Sequence, residues 1–255
     1  MIEDDADELR AIVASAVEHL RHEHDLGNRL LPSIALRSPR VPAASPVEVV
    51  ATSLRQATPP SALSSAAGAD RLAVLADEAR TCTRCRLHEG RTQSVFARGS
   101  VTASIVFVGE GPGFHEDERG LPFVGPAGQL LDKMIVAMGL GPEEVYICNV
   151  VKCRPPNNRT PNPDEAAACL PFLEAQLEVV APQAIVALGR HASESLGVAQ
   201  PGRSWRGTWG EWRGVRVMST YHPAYLLRTP EHKRVVWQDL QAVVKAMGRT
   251  LPSRS

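Results

Sequence analysis

Four short apolar runs, rich in Val and Ile, recur along the chain and are separated by segments with helical signals. They cover residues 104–108, 145–151, 184–188 and 215–218. Short apolar runs bounded by turn residues are typical of strands buried on both faces, and strands that alternate with helices form largely parallel sheets. The sequence therefore predicts an α/β fold with a central, mostly parallel sheet of four strands and helices on both faces.

The segments between the runs carry helix start and stop signals. Gly139 follows an apolar-faced segment and is typical of a helix end. Asn162 and Glu165 stand at the N-cap and capping-box positions of another segment, with a proline at the first helical position. Helices are therefore predicted over residues 126–138, 162–180 and 235–247.

The first 70 residues differ in composition from the rest. Residues 8–24 show a helical period with one apolar face, whereas residues 31–68 are rich in Ala, Ser and Pro and cannot bury a core. We therefore divide the chain into residues 1–70, a helix on a largely flexible linker, and residues 71–250, a folded domain. Docking of a protein partner by the N-terminal helix is one hypothesis for the first part.

Charge and hydropathy limit the partners of the chain. The acidic opening MIEDDADELR lacks the pattern of a secretory signal, and no apolar run is long enough to cross a bilayer. We therefore expect a cytoplasmic protein with no membrane partner. The formal net charge is zero, but residues 201–234 hold seven Lys or Arg against two Glu. This basic segment is either a solvated loop or a phosphate-binding surface.

Glycines and polar residues lie at the carboxyl ends of the predicted strands, where open α/β sheets bind ligands. Glu110 and Gly111 follow the first strand, Asn149 lies in the second, and His222 follows the fourth. Each has an ordinary structural interpretation, and the glycine-rich loop matches neither Walker A nor GxGxxG. Their joint placement at one edge of the sheet predicts a binding site.

The cysteines suggest a metal centre. Cys82 and Cys85 form a C-x2-C knuckle, and fifteen residues separate Cys153 from Cys169. Disulfides are rare in cytosolic proteins, and zinc ribbons usually have two short knuckles. Four thiolates from two distant segments suit a [4Fe–4S] cluster, although the spacing alone leaves zinc open. Cys148 lies within a predicted strand and is interpreted as a small buried residue.

Three long segments, together with the CTRC knuckle, resemble the family 4 uracil-DNA glycosylases, which are iron–sulfur proteins. The segments are GEGPGFHEDERGLPFVGPAGQLLDKM, YICNVVKCRPPNNRTPNPDEAAAC and TYHPAYLLR. The resemblance covers roughly residues 72–247 and leaves residues 1–70 without a counterpart. It implies a monomeric enzyme that hydrolyses the bond between uracil and deoxyribose in single- or double-stranded DNA, which is the first step of base-excision repair.

The resemblance also assigns the cofactor and the base pocket. It implies a structural [4Fe–4S] cluster held by Cys82, Cys85, Cys153 and Cys169. An enzyme that acts on a base inside a duplex must flip the nucleotide into a pocket. Phe123 matches the family residue that stacks on the flipped uracil, and Asn149 matches the residue that reads its polar edge. Gly111 permits a close approach of the backbone to the base.

Three residues match the catalytic positions of the family. His222 matches the histidine that hydrogen-bonds O2 of the leaving uracil, where negative charge develops. Glu110 and Glu116 match pocket carboxylates, one of which orients the attacking water. Better-known uracil glycosylases have an Asp where this chain has Gly111, so the resemblance leaves the choice between the two glutamates open.

The segment HPAYLLR continues the loop that enters the DNA minor groove in this superfamily. Apolar side chains wedged into a base step unstack DNA. Tyr225, Leu226 and Leu227 are candidates for such a wedge, with Arg228 on a phosphate, although Leu227 also fits a packed turn. The Arg-rich residues 203–216 and the segment KCRPPNNR would add salt-sensitive phosphate contacts.

Other functions are disfavoured by particular residues. One branch of the superfamily traps uracil-DNA covalently through a histidine in a basic insertion, but the segment QPGRSWRGTWGEWRG holds no histidine. A branch with broader base choice lacks the loop glutamate that Glu110 supplies. A non-catalytic iron–sulfur DNA-binding module, such as a part of a polymerase, has no need for Glu110, Asn149 and His222 together. The residues therefore favour the glycosylase.

Overall fold

The computed structural model describes residues 65–199 and 204–252. The predicted helix over residues 8–24 lies outside these ranges, as does most of the predicted linker. The first described helix, α1 (Ser65–Thr81), begins within the last residues of that linker and extends into the predicted domain. None of the helices in the described ranges is long and apolar enough to cross a membrane.

Strands and helices alternate along the described chain. The strands are β1 (Ala97–Gly99), β2 (Ile105–Gly109), β3 (Val145–Asn149), β4 (Ala184–Leu188), β5 (Thr208–Trp212) and β6 (Val215–Thr220). After α1, the helices are α2 (Phe114–Arg119), α3 (Pro126–Ala137), α4 (Pro163–Val180), α5 (Arg190–Ser195), α6 (Pro223–Arg228) and α7 (Lys233–Ala246). Short 3-10 helices cover Arg86–Glu89, Pro142–Glu144, Pro156–Asn158 and Pro230–His232.

The strands form one sheet in the order β1-β3-β2-β4-β6-β5. The four strands predicted from the apolar runs lie side by side at its centre, and they pair in parallel. The two outer strands, β1 and β5, pair antiparallel with β3 and β6. The sheet is therefore mixed, with antiparallel strands at both edges.

The prediction of a four-stranded, mostly parallel sheet is wrong because it misses both edge strands. Strand β1 has only three residues, none of them fully buried. Strand β5, with the sequence TWGEW, alternates half-buried and exposed residues. Edge strands of this kind lack the continuous apolar run that identifies a strand buried on both faces.

Apolar side chains cover both faces of the sheet. Along β2, Val106 and Val108 belong to one buried cluster, and Ile105 and Phe107 belong to the other, as the two-residue repeat of a strand requires. Helices α1, α4 and α5 pack into the first cluster, and α3, α6 and α7 into the second. Burial of each such side chain contributes about 1.5–3 kcal/mol. Helices therefore cover both faces, as predicted.

Helix α4 begins where the sequence predicts it. Asn162 is the N-cap, and the Glu165 carboxylate accepts a hydrogen bond of 2.7 Å from the Asn162 backbone N–H. The same carboxylate pairs with the Arg159 guanidinium, which lowers the pKa of Glu165. This ion pair ties the loop after β3 to the start of α4 and so fixes one side of the sheet edge described next.

The four central strands end at the same edge of the sheet because they are parallel. Glu110 directly follows β2, Asn149 is the last residue of β3, and His222 lies two residues after β6. The polar residues that the sequence places at strand ends are therefore brought together by the fold.

Candidate active site

A cavity of about 390 Å³ opens at this edge of the sheet. It is lined by residues from the loops after β2, β3 and β6. The six predicted pocket residues and two of the predicted DNA-binding residues are among them: Glu110, Gly111, Glu116, Phe123, Asn149, His222, Tyr225 and Arg228. The structure therefore assembles a single site from segments that are distant in sequence.

The Asn149 side chain is a buried polar group without a partner. The residue is 1% exposed, and its Oδ1 atom accepts no hydrogen bond from any described residue. An unsatisfied buried acceptor costs about 1–3 kcal/mol. Such an atom in a cavity wall indicates a ligand that donates a hydrogen bond to it.

Gly109 makes room for this amide, a role that the sequence alone did not reveal. A Cβ atom at Gly109 would collide with Asn149 Oδ1 and would lie 2.6 Å from Phe123 Cζ. Gly109 pairs directly with Asn149 across β2 and β3. The glycine therefore lets the amide and the aromatic ring approach the end of β2 together.

Phe123 forms an aromatic wall in a strained backbone conformation. Its φ is 55°, which is rare for a residue with a side chain, and its ring stacks on His222 with 5.5 Å between centroids. Arg98 on β1 donates to the Pro122 carbonyl at 3.0 Å. A Cβ at Gly128 would overlap the Phe123 carbonyl. Arg98 and Gly128 therefore hold the ring in place, and neither was predicted from the sequence.

The Glu116 carboxylate holds the loop around Phe123. It accepts hydrogen bonds from the backbone N–H groups of Gly113 at 3.1 Å, Val124 at 2.9 Å and Gly125 at 2.9 Å. Both carboxylate oxygens are thereby engaged. The Glu110 side chain, in contrast, has no hydrogen bond or ion pair within residues 65–199 and 204–252. Glu110 is therefore the carboxylate that is free to act on a ligand or a water.

Glu116→Gln is expected to raise KM about tenfold and to lower kcat less than that. An amide cannot accept hydrogen bonds from all three backbone N–H groups, so the loop around Phe123 loses part of its support. Steady-state kinetics on uracil-containing DNA, the substrate that the resemblance implies, would measure KM and kcat. Thermal unfolding would measure Tm. Glu118→Gln is the matched control, since Glu118 is exposed on the same helix. A pure loss of kcat with unchanged KM and Tm would contradict the positioning role and point to direct catalysis by Glu116.

His222 is held as a neutral imidazole. Burial and the charge of Arg228 lower the pKa of His222 to about 4. Its Nδ1 accepts a hydrogen bond of 3.1 Å from the Ala224 backbone N–H. The proton of the neutral ring therefore resides on Nε2, which makes Nε2–H the hydrogen-bond donor of this side chain.

His222 is expected to make the fold acid-sensitive. Below its unfolded pKa of 6.5 and down to about 4, the unfolded chain binds a proton that the folded protein does not. The free energy of unfolding should therefore decrease as the pH is lowered through this window, by about 3 kcal/mol in all. Thermal unfolding of wild type and His222→Gln from pH 8 to pH 4 would measure the difference. An equally steep decline in His222→Gln would contradict the assignment, and His115→Gln serves as an exposed control.

The segment after His222 forms helix α6 and divides its side chains between core and surface. Leu226 is 1% exposed and packs into the cluster with α3 and α7, so its prediction as a DNA wedge is wrong. Leu227 is 45% exposed, because successive helical residues point about 100° apart. The Tyr225 hydroxyl lies 2.8 Å from His232 Nδ1, and Arg228 is exposed.

The four cysteines matched to the cluster lie together at a second cavity, separate from the one described above. One small cavity is lined by Cys82, Cys85, Cys153 and Cys169. Cys148 is fully buried in the sheet and does not line it. Among the described residues, no group of three or more His, Cys, Asp or Glu side chains forms a ready-made site for a single metal ion.

The surroundings of these thiols suit a sulfur-bound metal centre. Arg91 Nη1 donates to Cys153 Sγ at 3.0 Å, and the Lys152 backbone N–H donates to Cys169 Sγ at 3.3 Å. Such donors stabilise thiolates and tune iron–sulfur centres. Four sulfur donors without a carboxylate on the cavity wall fit an iron–sulfur cluster in donor type and number.

Comparison with known proteins identifies the family of the chain. The model of the uracil DNA glycosylase superfamily matches residues 96–241. The type-4 uracil-DNA glycosylase of Thermotoga maritima is 47% identical over 173 residues, which are 66% of this chain and 90% of the relative. That of Saccharolobus solfataricus is 41% identical over 194 residues, 70% of this chain and 87% of the relative. The chain therefore belongs to the uracil-DNA glycosylase superfamily, in its type-4 branch, which confirms the resemblance inferred from its motifs.

Proposed function

We infer that this chain is a uracil-DNA glycosylase, which hydrolyses the N-glycosidic bond of uracil in DNA and so begins base-excision repair. The observation that carries the inference is the unpaired Asn149 Oδ1 in the wall of a cavity that also presents Phe123 and His222. Relatives named type-4 uracil-DNA glycosylases, matched over most of their length, support the same activity.

Base selection follows from the Asn149 amide. Uracil presents an N3–H donor beside the O4 acceptor, so Oδ1 accepts from N3–H while the amide nitrogen donates to O4. Cytosine presents an acceptor at N3 and an amino donor at position 4. The amide oxygen would then face an acceptor and the amide nitrogen a donor, so neither hydrogen bond could form. The flipped base stacks on Phe123, whose ring is already fixed by the loop, so little ordering remains to be done on binding.

Cleavage is assisted by the neutral His222. As the bond between C1′ and N1 breaks, its electron pair moves onto the uracil ring, and O2 becomes negative. Nε2–H of His222 donates a hydrogen bond to O2, and a donor of this kind is worth about 2.7–4 kcal/mol. Because the pKa of His222 is low, the imidazole carries no second proton to transfer, and uracil leaves as the anion.

Glu110 completes the hydrolysis on the sugar. Its carboxylate has no partner among the described residues, and it lines the cavity. The negative charge stabilises the cationic sugar, and the carboxylate accepts a proton from the water whose oxygen bonds to C1′. The products are free uracil and an abasic site. Glu116 acts indirectly, by holding the loop that carries Phe123.

The four cysteines would hold a [4Fe–4S] cluster. When bound, the cluster supplies a cross-link between the segment after α1, the loop after β3 and helix α4. Its role in this proposal is to fix the loop after β3 beside the pocket, and the hydrolysis itself is carried out by the side chains described above.

Exposed apolar and basic side chains around the cavity serve as the DNA surface. Leu227, which replaces Leu226 as the wedge, is exposed and directly precedes Arg228, which lines the cavity. On α2, Phe114 is 50% exposed, and its ring centroid lies 5.1 Å from the Arg154 guanidinium. An aromatic ring beside a guanidinium suits a stacked base and its phosphate. One copy of the chain supplies all of these contacts, so the proposed enzyme can act as a monomer.

The test is a glycosylase assay on oligonucleotides that carry a single uracil, cytosine or thymine, both single- and double-stranded. Alkaline cleavage of the uracil strands alone is the expected result. Denaturing gels of the same samples would detect a covalent protein–DNA adduct, which would favour the uracil-trapping branch. DNA binding without cleavage by iron-loaded protein would overturn the proposed activity and favour a non-catalytic DNA-binding module.

A further inference from the structure

Lys152 is a buried cation without a carboxylate partner. The side chain is 1% exposed, and within residues 65–199 and 204–252 it forms no ion pair. Its Nζ donates to the Asn149 backbone carbonyl at 2.6 Å and to Gln176 Oε1 at 2.5 Å. Removing an unpaired ammonium from water costs several kcal/mol, so a buried lysine normally has a negative partner.

The cysteine cavity offers that partner. Lys152 lines the cavity with the four cysteines, and its own backbone N–H donates a hydrogen bond of 3.3 Å to Cys169 Sγ. Thiolates bound to iron are ionised, and four of them give an iron–sulfur centre a net negative charge.

Lys152 is also connected to the base pocket, through its hydrogen bond to Asn149. Asn149 is the last residue of β3, and its carbonyl is fixed by Lys152 while its side chain faces the cavity. Gln176 on α4 holds the ammonium in place and itself donates to the Phe96 carbonyl at 3.1 Å and to the Tyr146 hydroxyl at 3.0 Å. The lysine therefore stands between the cysteine cavity and the residue that reads uracil.

We propose that Lys152 is a positioning residue that couples the two sites: its charge pairs with the cysteine-bound cluster, and its hydrogen bond fixes Asn149. The proposal rests on the proposed function and on the cluster assigned to the four cysteines. It makes uracil affinity depend on the cluster through one side chain, although the cluster takes no part in the hydrolysis.

The test compares Lys152→Met with Lys133→Met, which removes an exposed lysine from α3. Three quantities are measured on iron-loaded protein: the rate of iron loss to a chelator, the midpoint potential of the cluster, and the dissociation constant of free uracil. In Lys152→Met we expect faster iron loss, a more negative potential and about tenfold weaker uracil binding. Lys133→Met should match the wild type in all three.

The outcomes separate the coupling from the proposed function. A wild-type protein that binds no iron or releases no uracil would overturn the proposed function itself. A wild type that does both, with Lys152→Met indistinguishable from Lys133→Met, would overturn the coupling alone. If Lys152→Met does not fold, Lys152→Gln carries the same test, because it removes the charge but keeps a polar donor in the network.

Discussion

Asn149→Ala is expected to lower kcat/KM for uracil excision by about 1,000-fold. In the proposed mechanism both hydrogen bonds that select uracil come from this one amide, so the alanine leaves N3–H and O4 of the flipped base unpaired. The fall should appear in single-turnover assays on single- and double-stranded DNA alike, because the lost contacts are to the base and not to the strand.

The Tm of Asn149→Ala shows whether Asn149 binds the base or only stabilises the fold. Asn149 Oδ1 has no partner among the described residues, so the alanine should fold with an unchanged or higher Tm. Gln129→Ala removes an exposed amide from α3 and serves as the matched control for activity. Loss of activity with a marked fall in Tm would contradict the account, as would a variant that excises uracil at the wild-type rate.

Cys169→Ser is expected to abolish stable binding of the cluster and to lower Tm by about 10 °C or more. Cys169 is the proposed ligand on α4, so its loss would disconnect that helix from the loop after β3 and from the segment after α1. A loss of about 3 kcal/mol or more corresponds to this shift for a domain of this size. Iron and sulfide analysis, visible absorbance and calorimetry on the purified variant would measure the effect.

Cys148 provides the internal control for this experiment. Cys148→Ala also removes a buried thiol but lies outside the cysteine cavity, so it should keep its full iron content. Equal iron in Cys169→Ser and wild type would contradict the assignment of the ligands. Zinc in place of iron in the wild-type protein, purified without exposure to air, would identify a zinc site and contradict the cluster.

The position of the site could be predicted because parallel strands end at a common edge. Asn149 and His222 are far apart in sequence, but Asn149 lies in one buried apolar run and His222 follows another, and parallel pairing of these runs places the two residues together. Residues at the edge strands were not predictable in this way. Strands β1 and β5 are short or half exposed, so Arg98, which supports the Phe123 loop, gave no signal in the sequence.

Two further kinds of role could not be predicted from the sequence. One depends on which face of a short helix is buried, and the other on hydrogen bonds from loop backbone groups. Leu226 and Leu227 are adjacent and chemically identical, and only packing against α3 and α7 decides which is buried. Glu110 and Glu116 both follow β2 in one glycine-rich segment, and only the three backbone N–H groups around Glu116 separate their roles. The need for glycine at position 109 follows only from the packing of the Asn149 amide against it.

The most direct test of the account is the release of free uracil from a single-uracil oligonucleotide, quantified by mass spectrometry under single-turnover conditions. Iron-loaded wild-type protein should release one uracil per strand and leave an intact abasic strand, whereas His222→Ala should release it about 100- to 1,000-fold more slowly. Strands that retain their uracil after prolonged incubation with the wild-type protein would contradict the account.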